Sequence, residues 1–362
     1  MLLASRRSLG AVLTAGLFAL AACGDRSATQ TPAQTPAARP QPNPAAGVVN
    51  LYTARHYDSD QILYDGFTRA TGVRVNRIDS RPDLLIERMR TEGAQSPADV
   101  VLMADAGALW RAEDAGLLQG IRSEALESRV PAALRHPEGR WFGFARRARV
   151  VAYDTARVRP EEVATYEQLA GPRFRGRLCV RSSDNVYNQS LVAALIERWG
   201  AERTAAWARG IVANMARPPQ GGDTEQIRAV AAGACQVALT NSYYFLRLAT
   251  SEDAAEQAIA GRLALSFPDQ QGQGAHVNIS GGGVAANAPN RANAIRFLEY
   301  LTTPEAQAVF ARANNEFPVI DGVPMPEPVA RASTFRADPT PVTVYGRRQA
   351  EAQRLLDDAG WR

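Results

Sequence analysis

The chain has no lysine; all 41 of its basic side chains are arginine. Schiff-base chemistry and a phosphate-loop lysine are therefore excluded. Cysteine and histidine are scarce, three of each in 362 residues, and the histidines lie far apart. A zinc site needs Cys and His in clusters, so none is expected. Calcium or magnesium would need grouped carboxylates, which the loops considered below lack. Long hydrophobic runs are missing too: the apolar stretch at residues 9–22 is too short for a comfortable membrane span. Charge of one sign is also weak. The net charge is +4 over the full chain, and Arg6 and Arg7 contribute two of it. A surplus that small argues for neither nucleic acid nor an acidic membrane. No Ser-His-Asp, Cys-His or metallohydrolase spacing is present, and Glu92, Asp105 and Asp154 read as ordinary loop acids, so no enzyme is expected. No internal repeat recurs at a fixed period.

What is present begins with an export signal. Arg6 and Arg7 precede the apolar run, which ends in Leu20-Ala21-Ala22-Cys23. Small residues before a cysteine resemble a bacterial lipoprotein cleavage box, with Cys23 as the lipid attachment site. Ser5-Arg6-Arg7-Ser8-Leu9 also resembles a twin-arginine signal. Residues 1–22 are read as the signal. Residues 23–47, mostly Ala, Pro, Thr and Gln, cannot bury a core and are read as a disordered tether. The mature protein is expected in the periplasm, lipid-anchored to a membrane.

The rest of the chain is longer than one core usually holds, which predicts two lobes. Apolar periodicity alternates strands at 48–52, 73–78 and 99–103 with helices, among them 82–90 and 106–115. Residues 141–145 and 149–153 read as two separate strands at the crossover between lobes. A second set follows, with strands at 178–181, 237–240 and 263–267 and helices at 191–199, 202–215 and 224–232. Residues 276–279 return to the first lobe, followed by helices at 291–301 and 304–313. The last stretch, 345–359, reads as a polar helix without a strong apolar face. Lobe 1 is therefore assigned 48–148 and 276–320, and lobe 2 149–275 and 321–362. Cys179 and Cys235 each sit in or before a second-lobe strand. In an oxidising compartment a disulfide would brace those strands; two buried thiols are the alternative.

Three strand ends carry tyrosine: Tyr57 beside His56, Tyr187 after 178–181, and Tyr243-Tyr244 after 237–240. Ligands bind at the carboxyl ends of strands in open α/β sheets, where loops and helix N-termini converge. Phenol is a poor ligand at neutral pH, with a pKa near 10. Only a strongly acidic cation repays its deprotonation, and Fe³⁺, hard and partial to anionic oxygen, fits.

Five motifs, in order, extend this reading. They are His56-Tyr57, the run Arg181-Ser182-Ser183-Asp184-Asn185-Val186-Tyr187-Asn188-Gln189-Ser190-Leu191, Asn241-Ser242-Tyr243-Tyr244, His276-Val277-Asn278-Ile279-Ser280-Gly281, and Asn314-Asn315-Glu316-Phe317-Pro318-Val319. Together they resemble bacterial ferric-ion-binding proteins, the extracytoplasmic solute receptors of iron(III) ABC importers. The resemblance covers nearly all of the mature domain. It implies an α/β, two-lobed periplasmic-binding-protein fold of type II, a hinge-joined clamp holding metal between its lobes. Carried over, Tyr57, Tyr187, Tyr243 and Tyr244 match ligand tyrosines, and His56 matches a position that ligates in some members only. Arg146-Arg147 matches the cleft arginine. One guanidinium there would offset the net negative charge of four phenolates on Fe³⁺, or hold a carbonate-like anion. Ser182, Asn185, Asn188 and Gln189 are candidate polar groups around Tyr187. The expected partner is an inner-membrane iron(III) permease, with the receptor a monomer that binds no nucleic acid. An oxyanion or polyamine receptor on the same clamp is the rival reading, and it leaves the tyrosine pair without a role. Gly281-Gly282-Gly283 could suggest a phosphate loop, but no lysine follows it.

Overall fold

The computed structural model describes residues 47–55 and 57–362. The first half is built from β1 (Val48–Thr53), α1 (Asp60–Thr71), β2 (Arg74–Asp79), α2 (Pro82–Glu92), β3 (Val100–Met103) and α3 (Ala106–Asp114). The short β4 (Leu118–Gln119) and α4 (Glu124–Arg129) lead into the long β5 (Phe142–Asp154). The second half holds β6 (Leu178–Cys179), α5 (Val186–Trp199), α6 (Ala201–Asn214), α7 (Asp223–Ala231), β7 (Val237–Asn241), α8 (Ser242–Ala249), α9 (Ala254–Gly261) and β8 (Leu263–Ser266). The chain then returns through β9 (Val277–Ala285), α10 (Arg291–Leu301), α11 (Pro304–Ala313) and β10 (Phe317–Pro318). It ends in α12 (Glu327–Ala332), α13 (Thr343–Arg347) and α14 (Gln349–Asp358). No helix among the described residues is long and apolar enough to cross a membrane.

Local chemistry accounts for many of these boundaries. Gly72 closes α1 in the left-handed region, at φ 75°, where a side chain would be strained. Asp105 caps α3 by accepting from the Gly107 N–H at 2.7 Å, and Asn185 caps α5 by accepting from the Tyr187 N–H at 3.0 Å. Thr303 caps α11, with Pro304 at its first position, where no N–H is needed.

The strands run in the order β2-β1-β3-β9-β5-β7-β6. β1 pairs in parallel with β2 and β3, and β6 with β7, whereas β5 and β9 run antiparallel to their neighbours. β5 is the shared strand. Residues 142–148 pair with β9, and residues 149–153 pair with β7. The sequence pattern predicts two strands here; the structure has one, running straight through Arg146 and Arg147. Successive side chains of a strand point to opposite faces. Arg147 is buried against Asp105 and the Ala104 carbonyl, while the Arg146 Nε donates to the Pro318 carbonyl at 3.0 Å. A charge pair that looks like a break is therefore part of a continuous strand, with one arginine on each face.

The glycine triplet lies inside β9 and not in a phosphate loop. A Cβ on Gly281 would come within 2.5 Å of the Phe142 carbonyl oxygen, and one on Gly282 or Gly283 would overlap the backbone of Val101 or Arg140. Only glycine lets β3 and β5 close on both sides of this strand. The C-terminal stretch also departs from expectation. It forms two helices, and Tyr345, Ala352, Leu355, Leu356 and Trp361 are buried. α13 packs against both α3 and α5, so this segment spans the two halves. A disulfide joins Cys179 to Cys235 and ties β6 to the loop entering β7.

Candidate metal centre

β1, β6 and β7 all end toward one place, and each end delivers tyrosine there. Tyr57 follows β1, Tyr187 lies in the first turn of α5, and Tyr243 and Tyr244 open α8. The Tyr243 hydroxyl donates to the Tyr187 hydroxyl oxygen at 3.2 Å. The Tyr57 ring stands edge-on to Tyr243 with centroids 6.2 Å apart, and Tyr243 and Tyr244 lie 4.3 Å apart. Tyr243 and Tyr187 are buried; Tyr57 and Tyr244 are partly exposed. Beside Tyr187 a cleft of about 850 Å³ opens, lined from the first half by Arg55, Ser80 and Asp105 and from the second by Asn185 and Gln189.

Burial raises the Tyr57 phenol well above its ordinary pKa, and the neighbouring Tyr187 adds to the rise. Tyr243 is pushed well up by burial, then by Tyr187 and Tyr57. Tyr244 rises as well, through burial and then Tyr187. Each phenolate would disfavour the next, so at neutral pH these three phenols hold their protons until a cation of high charge displaces them. Among the described residues no three His, Cys, Asp or Glu side chains group to hold a metal ion.

Arginines surround the phenols. The Arg147 guanidinium carbon lies 5.2 Å from the Tyr187 ring centroid and that of Arg181 5.4 Å. Arg55 lies 5.0 Å from the Tyr57 centroid. Arg247 lies 5.5, 5.9 and 6.0 Å from the centroids of Tyr57, Tyr243 and Tyr244. Arg149 is buried, with its Nη1 2.6 Å from the Asp223 carboxylate. Of the adjacent pair, Arg147 faces the tyrosines and Arg146 faces away. A narrow recess is lined by Tyr187 together with Arg147, Arg149, Asn241, His276 and Asn278. Arg147 Nη1, Arg149 Nε, Asn241 Nδ2 and His276 Nδ1 are buried there without hydrogen-bond partners.

The polar residues near Tyr187 hold the loop that presents it. Asn188 accepts from the Arg149 Nη2 at 2.7 Å and donates to the Arg181 and Ser182 carbonyls at 3.0 Å each. Gln189 donates to the Ser183 carbonyl at 3.2 Å and accepts from Gln349 at 2.7 Å. The Ser182 hydroxyl accepts from the Asp184 N–H at 3.4 Å. Asp105, which reads from the sequence as a loop acid, is buried between Arg147, Ser190 and Asn278. His56 and Cys23 lie outside the described residues, as do 1–22 and the tether up to residue 46. Arg247 was the residue most open to sequence reasoning: it lies three and four positions after the tyrosine pair, on the same helical face.

A family model for bacterial extracellular solute-binding proteins matches residues 95–337. Over 314 residues the chain is 50% identical to iron uptake protein A1 of Synechocystis, covering 87% of each chain. It resembles the Trichodesmium FutA protein, solved in complex with iron and citrate, at 52% identity and a TM-score of 0.84 over 87% of this chain and 100% of that one. The ferric binding protein of Campylobacter jejuni matches at 35% identity and a TM-score of 0.82, over 87% and 100% of the two chains. With this fold and a family match across most of its length, the chain belongs to the bacterial extracellular solute-binding proteins.

Proposed function

We propose that the chain is the extracytoplasmic receptor of an iron(III) ABC importer. It captures Fe³⁺ between its lobes through tyrosinate oxygens and passes the ion to an inner-membrane permease; it is a carrier and not an enzyme. The observation that carries this is the convergence of four phenols from three strand ends where, among the described residues, no carboxylate or thiol cluster competes. In this reading Tyr57, Tyr187, Tyr243 and Tyr244 are ligands, and His56 is a candidate fifth. Residues 48–148 with 276–320, and 149–275 with 321–362, are the two arms of the clamp. Relatives named for ferric iron binding and iron uptake support it. The unpartnered Arg147 Nη1 suits a carbonate-like anion beside the ion.

Purified protein titrated with ferric nitrilotriacetate at neutral pH is expected to develop a visible tyrosinate-to-iron band that saturates at a single equivalent. A colourless, unsaturated titration would overturn the reading and favour an oxyanion or polyamine receptor.

Cys23 supplies the anchor in this proposal, which keeps a monomeric receptor in the periplasm near its permease. Cys23→Ser should move the protein from the membrane fraction to the soluble fraction. An unchanged membrane fraction would argue against lipid attachment.

A further inference from the structure

The motif Asn314-Asn315-Glu316 supplies none of the phenols, yet all three side chains are buried at 0%, 4% and 1% exposure. It links α11 to β10, which pairs with β5 at Arg146 and Ala145. Its first and third side chains reach the loop that carries Tyr57. Asn314 donates to Asp60 at 2.9 Å and accepts from the Ser59 hydroxyl. Glu316 takes the Arg55 Nη2 on one carboxylate oxygen at 3.0 Å and the Ser280 hydroxyl on the other at 2.8 Å. Arg55 is also held by Asp60, with its Nε 2.8 Å from the carboxylate, and this pose sets its guanidinium 5.0 Å from the Tyr57 ring centroid. The middle residue turns the other way. Asn315 adopts the left-handed backbone at φ 57°, a region Asn tolerates, and accepts from the Thr250 hydroxyl at 3.1 Å. Thr250 is the C-cap of α8, the helix that begins with Tyr243 and Tyr244.

We infer that Glu316 is a positioning residue for Tyr57, acting through Arg55, and that Asn315 sets the same segment in register with α8. This rests on the reading of Tyr57 as a ligand. A guanidinium can lean on a ring face in many poses; two carboxylates gripping it from different elements leave one. Glu316 is anchored in turn to Ser280 on β9, so the pose of Tyr57 is referred to the central sheet and not to its own loop. Tyr57 is thereby held for an ion whose other phenols arrive on α5 and α8.

The test is a double-mutant cycle of Glu316→Gln with Tyr57→Phe, reading affinity for ferric nitrilotriacetate and the energy of the visible band. Glu316→Gln alone is expected to lower affinity on the order of tenfold, as for loss of a charged hydrogen bond, and to shift the band. In the Tyr57→Phe background the same change should have little further effect. An effect of Glu316→Gln that persists in full without the Tyr57 oxygen, or no effect in the parent protein, would overturn the inference and leave the ligand reading standing. Undiminished affinity in Tyr57→Phe alone would overturn both. If Glu316→Gln does not fold, Ser280→Ala, which frees the other carboxylate oxygen, takes its place with the same expected and overturning results.

Discussion

Replacing Tyr243 or Tyr244 with phenylalanine will weaken Fe³⁺ binding severely while the fold survives. The rings pack against each other 4.3 Å apart, and phenylalanine keeps that contact. What is lost is one oxygen, together with the hydrogen bond from Tyr243 to Tyr187 in the first variant. For folding, a lost neutral hydrogen bond costs about 1 kcal/mol. For the metal the loss is larger. On the scale of structural zinc sites, on the order of 10–16 kcal/mol over four ligands, each ligand is worth about 3 kcal/mol, roughly two orders of magnitude in affinity. Competition titration against nitrilotriacetate, with thermal melts as a control, measures both effects. Parent-like affinity in both variants would remove the pair from the ligand set.

Acid will strip the iron, steeply. Tyr57, Tyr243 and Tyr244 all have pKa values raised by burial, so in the empty site they are protonated at neutral pH and below. Each one that binds Fe³⁺ as phenolate must release its proton. Binding therefore gains with rising pH throughout the range below those raised values and loses with falling pH. These three phenols alone contribute about three log units of affinity per pH unit. The measurement is apparent affinity between neutral pH and mild acid, with circular dichroism confirming that the protein remains folded. A flat profile would mean that the phenols bind neutral or not at all.

The alternation of strand and helix was legible because strands buried on both faces read as short apolar runs, and 99–103 and 237–240 fall within a residue of β3 and β7. So was the place where tyrosines would gather, since strand ends in such sheets point one way. The charged interior was not. Arg147 sits in a stretch that looks like a solvated break and Arg149 opens the strand after it, and only the pairing of Arg147 with Asp105 and Arg149 with Asp223 makes their burial tolerable. Those acids are 42 and 74 residues away in the chain. Periodicity has no access to partners at that distance. The same limit hid the buried face of the C-terminal stretch, read from the sequence as one polar helix, which packs on α3 and α5.

The tyrosines are divided unequally between the halves, and that division orders events in time. Tyr187, Tyr243 and Tyr244 stand on β6, β7 and their following helices, which the Cys179–Cys235 disulfide joins into one piece. Tyr57 comes alone from the other half. On the proposed ligand set, an incoming ion would meet three oxygens already assembled, and the fourth would arrive when the halves close. Unloading runs in reverse. A partner that pries the first half away has a single phenolate to detach before the ion faces solvent. On that reading the barrier to handover would be set by the contacts of one half, while the strength of retention would be set by both.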